Sequence, residues 1–336
     1  MIDMKILVTG GLGFIASNFI RMMLHEHEDC KIINVDALRY GSNAANLAGF
    51  KGNERYSFVQ GDIADGKFMA GLIKGVDAAV NFAAETHVDR SISQPDAFLH
   101  SNVQGVFSIL EALRRHNPEA RFVQISTDEV YGDIIQGSFT EESALKPSSP
   151  YSASKAAGDV FVQAYARTYG LYAMITRCTN NYGPYQFPEK LIPKVILRSR
   201  KGLKIPVYGT GRNVRDWIYV RDHCRAVEQV LIKGRSGRIY NISASEEKAN
   251  LQVIETILKI LGKDEGQIEF VEDRPGHDVR YSLDSSRIKD ELGWRPIESF
   301  EEGIQKTVSW YLQNEDWWRP LLDEKMLAPT PWKLNW

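Results

Sequence analysis

The feature that most constrains the fold of this chain is a glycine-rich turn between its first apolar run and its first amphipathic run. The apolar run KILVTG occupies residues 5–10 and leads through TGGLGFIA (9–16) into a helical pattern over 14–27. A strand that turns this tightly into a helix is typical of the first unit of a doubly wound parallel sheet, because bulky side chains do not fit in the turn. The turn therefore predicts an α/β fold.

The first half of the chain repeats this alternation of short β-rich runs and longer amphipathic runs. Parallel strands joined by crossover helices produce such a pattern. Strands are predicted at 5–10, 31–36, 56–62, 77–84, 121–127 and 171–177, and helices at 14–27, 65–74, 96–116 and 151–169. This order predicts a Rossmann-type doubly wound parallel sheet.

After residue 177 the pattern becomes less regular and richer in Gly, Pro and Tyr. Strands are predicted at 215–220, 238–243 and 267–273, and helices at 190–201, 222–233, 250–261 and 300–313. A chain of 336 residues exceeds the roughly 250–300 residues that one core usually serves. We therefore expect a Rossmann domain over 1–180, to which 215–243 returns, and a smaller α/β C-terminal domain over 181–336 that binds the substrate.

Composition and charge exclude several classes of function. The net charge of −2 gives no basic surface for nucleic acid, and no apolar run approaches the ~18 residues of a membrane span. The three cysteines are scattered, and the seven histidines form no metal-binding pattern. Because the N-terminus also lacks a signal-peptide pattern, we expect a soluble, unprocessed cytoplasmic protein without metal, nucleic-acid or membrane partners.

The glycine turn has the spacing of a dinucleotide site. Gly11, Gly13 and Ala16 satisfy GxGxxA, while Gly10 and Gly13 open GxxGxxA. Either spacing lets a pyrophosphate approach the N-terminus of the following helix, where free N–H groups and the helix dipole meet its charge. Asp36 ends the second strand about 20 residues later, where a carboxylate can accept from a ribose hydroxyl. Helix packing would explain the glycines but not Asp36, so the prediction is an NAD-type cofactor.

The Asp36 carboxylate would repel a 2′-phosphate, so NAD is favoured over NADP. Arg39 leaves that choice open, because it could face a phosphate or lie solvated at the surface. The topology further places residues after the third and fourth strands near the adenine and the cofactor. The predicted cofactor-binding residues are Gly10, Gly13, Phe14, Ile15, Asp36, Asp62, Ile63, Ala83, Ala84, Tyr151 and Lys155.

Two motifs predict the chemistry. YSASK (151–155) places Tyr151 and Lys155 four residues apart on one helix face, where the ammonium can lower the phenol pKa. The phenolate could then act as a base for hydride removal, with Thr127 near it at a strand end. Asp128 and Glu129 follow that strand and offer an acid and a base for eliminating water. The alternative for this carboxylate pair is a solvated turn.

These motifs resemble the extended short-chain dehydrogenase/reductase family and, within it, the nucleoside-diphosphoglucose 4,6-dehydratases. Departures from the family pattern are Ala16, where a third glycine is frequent, and Thr86, where serine is frequent. The resemblance covers TGGLGFIA, FAAETHVDRSI (82–92), STDEVYGD (126–133), YSASKA (151–156), NNYGPYQFPEKLIP (180–193), RDWIYVRDH (215–223) and RPGHDVRY (274–281). It therefore extends over nearly the whole chain.

The resemblance implies a three-stage reaction on a nucleotide sugar. Tyr151, assisted by Lys155 and Thr127, would take the 4-hydroxyl proton while hydride passes from C4 to NAD. Glu129 would then remove the C5 proton, Asp128 would protonate the departing C6 hydroxyl, and the hydride would return to C6. Implied substrate-binding residues are His87, Asn181, Glu189, Lys190, Arg215, Asn250, Arg274 and His277. The family also implies a homodimer formed through helices 96–116 and 151–169.

Several alternatives stay open at this point. The substrate could be dTDP-glucose or UDP-glucose, since dehydratases of both kinds resemble STDEVYG. A nucleotide-sugar 4-epimerase shares the fold, NAD and YxxxK, although it needs no elimination machinery such as Asp128 and Glu129. A non-catalytic NAD-binding regulator would be expected to have lost at least one catalytic residue, and all five are present.

Overall fold

The computed structural model of the chain describes residues 3–323 and 325–334. Its strands are β1 (Lys5–Thr9), β2 (Lys31–Asp36), β3 (Tyr56–Gln60), β4 (Ala78–Asn81), β5 (Arg121–Thr127), β6 (Ala173–Cys178), β7 (Asn180–Tyr182), β8 (Ile205–Tyr208), β9 (Val214–Tyr219), β10 (Ile239–Ile242), β11 (Glu247–Ala249) and β12 (Ile268–Val271). Its helices are α1 (Phe14–Glu26), α2 (Gly66–Ile73), α3 (Val88–Ser93), α4 (Asp96–Phe98), α5 (Gly105–His116), α6 (Pro150–Tyr169), α7 (Leu191–Arg200), α8 (Val220–Lys233), α9 (Asn250–Leu261), α10 (Ser286–Leu292), α11 (Phe300–Gln313) and α12 (Glu315–Trp318).

The centre of the fold is a seven-stranded parallel sheet in the order β3, β2, β1, β4, β5, β6, β10. The chain builds outwards from β1 to β3 on one side and then restarts at β4 on the other. The carboxyl ends of β1 and β4 thus leave a crevice at the point where the strand order reverses, which is where open α/β sheets bind ligands. The predicted doubly wound α/β fold is confirmed.

Helices cover both faces of this sheet, so the inner strands β1, β4, β5 and β6 are buried on both sides along almost their whole length. On one face α1 and α8 pack against each other and bury Phe19 and Val227. On the other face α2, α5 and α6 bury Ile73, Val106 and Val162. Two apolar layers therefore fix the strand ends that carry the site.

The smaller part of the structure has its own core. The helices α7, α9 and α11 pack around Ile196, Ile254 and Ile304. Beside them lie a three-stranded sheet (β11, β9, β7) and a two-stranded sheet (β12, β8). Within the segment 215–243, α8 packs on the large sheet and β10 forms its edge strand, whereas β9 pairs with β7 and β11.

Most predicted elements begin and end within about two residues of the observed ones. The predicted helix 96–116 differs, because residues Leu99–Gln104 form a π-helical segment between α4 and α5. Within that segment the Asn102 side chain bonds to both the N–H and the carbonyl group of Glu85. π-helical turns frequently occur at functional sites, and this one connects α5 with the loop that follows β4.

The predicted strand 77–84 was too long, since β4 ends at Asn81. The following residues turn towards the crevice, and Ala83 meets the backbone of Gly10 there. Within the described residues, no helix combines the length and apolar character required to cross a bilayer.

Candidate active site

A cavity of about 300 Å³ opens at the carboxyl ends of β1 and β4. Its walls include every residue predicted to bind the cofactor: Gly10, Gly13, Phe14, Ile15, Asp36, Asp62, Ile63, Ala83, Ala84, Tyr151 and Lys155. Thr127, Asp128 and Glu129 line the same cavity. The fold therefore brings the predicted cofactor residues and the predicted catalytic residues to one place, and we name this space the cofactor cavity.

The glycine turn leaves room for a ligand at the start of α1. Gly10 has φ +67°, and a Cβ atom there would lie 2.7 Å from the Cα of Ala83. Gly13 precedes the first turn of α1, and among the described residues no side chain caps this helix end. Backbone N–H groups at an uncapped helix start are donors for an anion. These features fit the pyrophosphate of a dinucleotide.

Asp36 organises the loop after β2. Its carboxylate is buried and accepts from the Leu12 N–H at 3.0 Å, the Leu38 N–H at 2.8 Å and the Ser42 hydroxyl at 2.7 Å. An ionised carboxylate can accept about four hydrogen bonds. After these three bonds, Asp36 retains capacity for one ribose hydroxyl.

Arg39 lies in the same loop and forms an ion pair with Asp62 at 2.6 Å. Asp62 also bonds to His100 at 2.9 Å. Burial raises the pKa of Asp62, but bonds from the Ala64 N–H and His100 and the charge of Arg39 outweigh it, so the pKa is lowered. Asp62 is therefore a partner for Arg39 that a 2′-phosphate would have to displace, which fits NAD better than NADP.

The two adjacent carboxylates lie on a 3₁₀ turn, Asp128–Tyr131, directly after β5. Thr127 starts this turn, and its hydroxyl accepts from the Glu129 N–H at 3.3 Å. Tyr151 and Lys155 come from α6, whose start is fixed by a capping box between Ser149 and Ser152. The end of β5 and the start of α6 thus hold all five predicted catalytic residues.

Asp128 is 3% exposed, and one of its oxygens accepts from the Thr127 hydroxyl at 3.0 Å. The other oxygen, Oδ2, has no hydrogen-bond partner among the described residues. Burial, and then the charge of Glu129, raise the pKa of Asp128 to about 8. At neutral pH Asp128 is mainly protonated, so it can donate a proton.

Glu129 lies in a more positive environment. Burial raises its pKa, while Arg274, Arg215 and Lys190 oppose that rise by favouring the carboxylate. The neighbouring Asp128 has no such group of three cations beside it. The pKa of both carboxyl groups is therefore raised, but the three cations near Glu129 favour its charged form, which makes Glu129 the candidate base and Asp128 the candidate acid.

Lys155 is buried and donates to the carbonyl oxygen of Ile125 at 2.6 Å. Burial lowers its pKa. The YxxxK spacing predicts that the Lys155 ammonium lowers the pKa of Tyr151. Instead, burial and the charges of Glu129 and Cys178 raise the Tyr151 pKa well above its ordinary value. A hydrogen bond with Thr127 acts to lower the pKa of Tyr151, but burial and the two charges outweigh it. Desolvation therefore dominates this phenol.

A second cavity of about 210 Å³ adjoins the first, and we name it the nucleotide cavity because of its charges. Both cavities are lined by Thr86, His87, Glu129, Asn180 and Lys190. The nucleotide cavity contains all the predicted substrate residues except Asn181, which lines the cofactor cavity: His87, Glu189, Lys190, Arg215, Asn250, Arg274 and His277. Glu129 thus lies where the two spaces meet.

Cations surround the nucleotide cavity and are held by the protein. Arg274 pairs with Asp89 at 3.0 Å, and its Nε is buried without a partner among the described residues. Arg215 donates to two carbonyl oxygens, those of Val214 and Asp278. Two prepositioned guanidinium groups with remaining donors suit a diphosphate.

Two predicted substrate residues are already engaged by the protein. Glu189 accepts from the Tyr40 hydroxyl and pairs with His87 at 3.2 Å. The Asn181 side chain donates to the Thr179 carbonyl oxygen at 3.0 Å and bonds to His223 at 2.9 Å. Both side chains line the cavities, and their bonds fix the orientation in which they do so.

Sequence reasoning missed several residues that line the cavities: Tyr40, Glu85, Cys178, Lys194, Tyr208, Trp217 and Tyr281. Tyr208 and Trp217 fall in PVYGTGRNVRDW, whose composition had already indicated substrate-binding structure. Lys194 follows Lys190 by four residues on one helix face, which is a local signal that could have been used. Burial also lowers the pKa of Lys194 to about 8.

Comparison with known proteins gives a consistent result. The family model described as GDP-mannose 4,6 dehydratase matches residues 7–307. A dTDP-glucose 4,6-dehydratase of Streptomyces niveus is 48% identical, and the alignment covers 98% of each chain. The dTDP-glucose 4,6-dehydratase of Xanthomonas campestris pv. campestris (strain B100) is also 48% identical, over 94% of this chain and 95% of that protein.

Solved structures agree with these sequence matches. DesIV, a dTDP-glucose 4,6-dehydratase from Streptomyces venezuelae determined with NAD bound, is 49% identical with a TM-score of 0.93, covering 95% of this chain and 100% of that one. The UDP-glucose 4-epimerase of Thermotoga maritima has a TM-score of 0.86 at 28% identity, covering 93% and 100%. The backbone is thus similar to both kinds of enzyme, while the sequence is much more similar to the dehydratase.

Proposed function

This chain belongs to the GDP-mannose 4,6-dehydratase family, and from that premise we propose that it is an NAD-dependent dTDP-glucose 4,6-dehydratase. The product would be dTDP-4-keto-6-deoxyglucose. The predicted resemblance to nucleoside-diphosphoglucose 4,6-dehydratases is confirmed at the level of the family. The substrate and the roles of individual residues are the content of the proposal.

The observation that carries the proposal is the pair of adjacent carboxylates in unlike environments. Asp128 has a pKa of about 8 and holds its proton at neutral pH; burial also raises the pKa of Glu129, but three cations oppose that rise by favouring its charged form. Elimination of water needs an acid for the departing hydroxyl and a base for the C5 proton. A 4-epimerase needs neither group, and the solved UDP-glucose 4-epimerase is 28% identical against 49% for the dehydratase DesIV.

Each proton transfer of the reaction would then be carried out by a side chain of this protein. Tyr151 would take the proton of the sugar 4-hydroxyl as a phenolate, and the positive charge of the NAD nicotinamide would favour that state against the burial that raises the Tyr151 pKa. Lys155 is held by its bond to the Ile125 carbonyl oxygen, and a hydrogen bond with Thr127 also acts to lower the Tyr151 pKa. When bound, NAD accepts the hydride from C4 and returns it to C6. The C4 ketone acidifies C5, so Glu129 can remove the C5 proton while Asp128 gives its proton to the C6 hydroxyl.

The cofactor assignment is supported by the shape of the cofactor cavity. The uncapped start of α1 would hold the pyrophosphate, and Asp36 would accept from a ribose hydroxyl. Lys155 would lie at the nicotinamide ribose, next to Tyr151 on the same helix. Because hydride leaves and returns in one turnover, we expect NAD to stay bound and no external oxidant to be consumed.

The nucleotide end is assigned by charge. Arg215 and Arg274 would bind the diphosphate, with Lys190 between them and the sugar. Asn250 and His277 would lie towards the base, beside the more apolar wall that contains Ile254. This end would also decide between dTDP-glucose and UDP-glucose, which differ at the pyrimidine 5-methyl group and the ribose 2′-hydroxyl.

The experiment that tests this function uses purified protein without added oxidant. dTDP-glucose and UDP-glucose are supplied in parallel, and NMR follows the 4-keto sugar and the new C6 methyl signal. We expect a methyl signal with dTDP-glucose at a higher rate than with UDP-glucose. A C4 epimer without a methyl signal would overturn the dehydratase assignment, and faster turnover of UDP-glucose would overturn the choice of nucleotide.

We also propose a homodimer and a cytoplasmic location. The exposed faces of α6 and the helix before it carry adjacent large apolar side chains, including Val160 (53% exposed), Phe161 (37%) and Phe107 (36%). Such a surface is typical of a helix-pair interface between subunits. Cys30, Cys178 and Cys224 are buried free thiols, which supports a reducing compartment.

A further inference from the structure

The C-terminal residues 325–334 fold back over the outside of the nucleotide cavity, and we name them the C-terminal strap. The family model ends at residue 307, so the strap lies outside the region that the family match covers. Sequence reasoning assigned it no role. Its contacts nevertheless reach the loop after β2, helix α7 and the end of β8.

The first contact is at the junction of the two cavities. Met326 is 3% exposed, and its sulfur contacts the Tyr40 hydroxyl oxygen at 3.4 Å. Tyr40 lies in the loop that follows Asp36 at the end of β2, and its hydroxyl donates to Glu189. The strap therefore packs against Tyr40, whose bond to Glu189 connects the loop after β2 to the nucleotide cavity.

The second contact is with α7. Arg198 and Lys194, one turn apart, donate to the carbonyl oxygens of two consecutive strap residues, Leu327 and Ala328. The Lys194–Ala328 bond is 3.3 Å long, and Lys194 lines the nucleotide cavity. Both basic side chains are buried, at 9% and 5% exposure. A buried ammonium requires partners, and the strap supplies a carbonyl acceptor for Lys194 in addition to the charges of Glu189 and Asp89.

The third contact is aromatic. Trp332 packs edge-on against Tyr208, with ring centroids 4.7 Å apart and an interplanar angle of 83°. Tyr208 lines the nucleotide cavity and lies 6.5 Å, centroid to centroid, from His277. The adjacent Lys333 pairs with Glu272, and the 3₁₀ turn Pro331–Lys333 packs against α3. Tyr208 is thus held on one side by the strap and faces the predicted base-binding end on the other.

We propose that the C-terminal strap is a positioning element of the nucleotide cavity, which holds Tyr208 and Lys194 at the wall and thereby sets the affinity for the nucleoside diphosphate of the substrate. This rests on the proposed function, since the ligand is the nucleotide part of dTDP-glucose. Within residues 325–334 no side chain lines either cavity, so the strap supplies no group to the proton transfers. The expected signature is a change in nucleotide affinity and KM without a matching change in kcat.

The first test compares Trp332→Ala with Trp332→Phe in the NAD-containing protein. The probe is dTDP, titrated by calorimetry, and turnover of dTDP-glucose is measured separately. Losing the edge-on ring should weaken dTDP binding about tenfold in Trp332→Ala, and the Phe variant should recover most of the affinity. KM should rise in parallel, while kcat at saturating substrate stays within about twofold.

The second test removes the bond between α7 and the strap. Arg198→Met, which removes a bond to the Leu327 carbonyl oxygen but no side chain that lines the nucleotide cavity, should also weaken dTDP binding, whereas Lys201→Met, at an exposed lysine just after the same helix, should not. If circular dichroism shows that Trp332→Ala does not fold, the comparison of these two helix variants tests the role of the strap in its place. Unchanged dTDP affinity in both Trp332→Ala and Arg198→Met, or a fall in kcat at unchanged affinity, would overturn the proposal.

Binding and turnover separate this inference from the proposed function. Wild-type protein that binds dTDP but does not dehydrate dTDP-glucose would overturn the proposed function. In that case the dTDP affinities of the variants would still test whether the strap affects nucleotide binding. Wild-type protein that dehydrates dTDP-glucose, with variants of unchanged dTDP affinity, would defeat the strap alone. Failure of the wild type to bind dTDP would overturn the strap proposal as stated.

Discussion

The Thr127 hydroxyl donates to Oδ1 of Asp128 at 3.0 Å, while Oδ2 of the same carboxyl is buried without a partner among the described residues. One oxygen is therefore held by the strand end, and the other remains available to the substrate. Because the pKa of Asp128 is raised to about 8, the group is protonated at neutral pH. This arrangement suits a general acid that protonates a departing hydroxyl.

The pH dependence of the reaction follows from that pKa. Above pH 8 the acid form of Asp128 disappears, so kcat should fall as the pH rises through this range. In Asp128→Asn the rate of methyl formation should fall by about 10²–10⁴-fold, and the residual rate should lose this alkaline limb. The measurement is kcat against pH by NMR. A wild-type rate that stayed constant well above the Asp128 pKa would remove this residue from the acid role.

Stability provides the control for the same variant. The carboxyl ionises near 3.8 when it is unperturbed and near 8 in the folded chain. Its contribution to stability is thus fully present below 3.8 and is lost as the pH rises towards 8. Asn cannot ionise, so Asp128→Asn should melt at a higher temperature than the wild type at neutral pH, which excludes unfolding as the cause of lost activity.

Glu129→Gln should separate oxidation from elimination. The variant retains the size of the side chain but cannot take the C5 proton, so we expect loss of dehydration with partial retention of C4 oxidation. Stopped-flow NADH fluorescence reports the oxidation, and the methyl signal reports the dehydration. Glu142→Gln, at an exposed carboxylate paired with Arg287, is the matched control. Undiminished dehydration in Glu129→Gln would contradict the base role.

The positions of the proposed catalytic groups could be predicted from sequence because their signals are local. TDEVY follows an apolar run, YSASK opens a helical pattern, and Asp36 ends a strand. In a parallel sheet those ends meet at one edge. The environments of these groups could not be predicted in the same way. The cations that separate Glu129 from Asp128 come from Lys190, Arg215 and Arg274, which are distant in sequence.

The elements that sequence reasoning missed depend on long-range contacts. The π-helical segment Leu99–Gln104 contains Asn102, which is bonded to Glu85 across 17 positions. The strap is held by bonds such as that between Lys194 and Ala328, 134 residues apart. Nothing in the local pattern of PTPWK indicates that Trp332 packs on Tyr208. The raised pKa of Tyr151 likewise depends on burial, which the YxxxK spacing does not report.

Gly10→Ala should reduce the amount of NAD that remains bound. Gly10 has φ +67°, and an added Cβ would lie 2.7 Å from the N and Cα of Ala83. Gly52 also has a positive φ, of +84°, but no atom lies within 4 Å of an added Cβ. Gly52→Ala should therefore cost about 1–2 kcal/mol of stability from backbone strain alone. Gly10→Ala should cost more and should also displace the cavity wall.

The measurement combines thermal unfolding with NAD content per subunit, determined by chromatography after denaturation. We expect Gly52→Ala to lower the melting temperature while NAD content stays at the wild-type level. Gly10→Ala should lower both. Equal NAD content in the two variants would show that the approach of Gly10 to Ala83 does not shape the cofactor cavity.

The exposed apolar face of α6 predicts the oligomeric state. Phe161 is 37% exposed, and its ring lies 6.0 Å from that of Phe107, so the two rings form one apolar surface. A charge at this surface would be buried without a partner in a dimer, which is strongly unfavourable. Phe161→Glu should therefore yield monomers by light scattering coupled to size-exclusion chromatography. Phe58→Glu is the matched control, because Phe58 is 42% exposed on the edge strand β3. A dimer that persisted in Phe161→Glu, or that dissociated in both variants, would place the interface elsewhere.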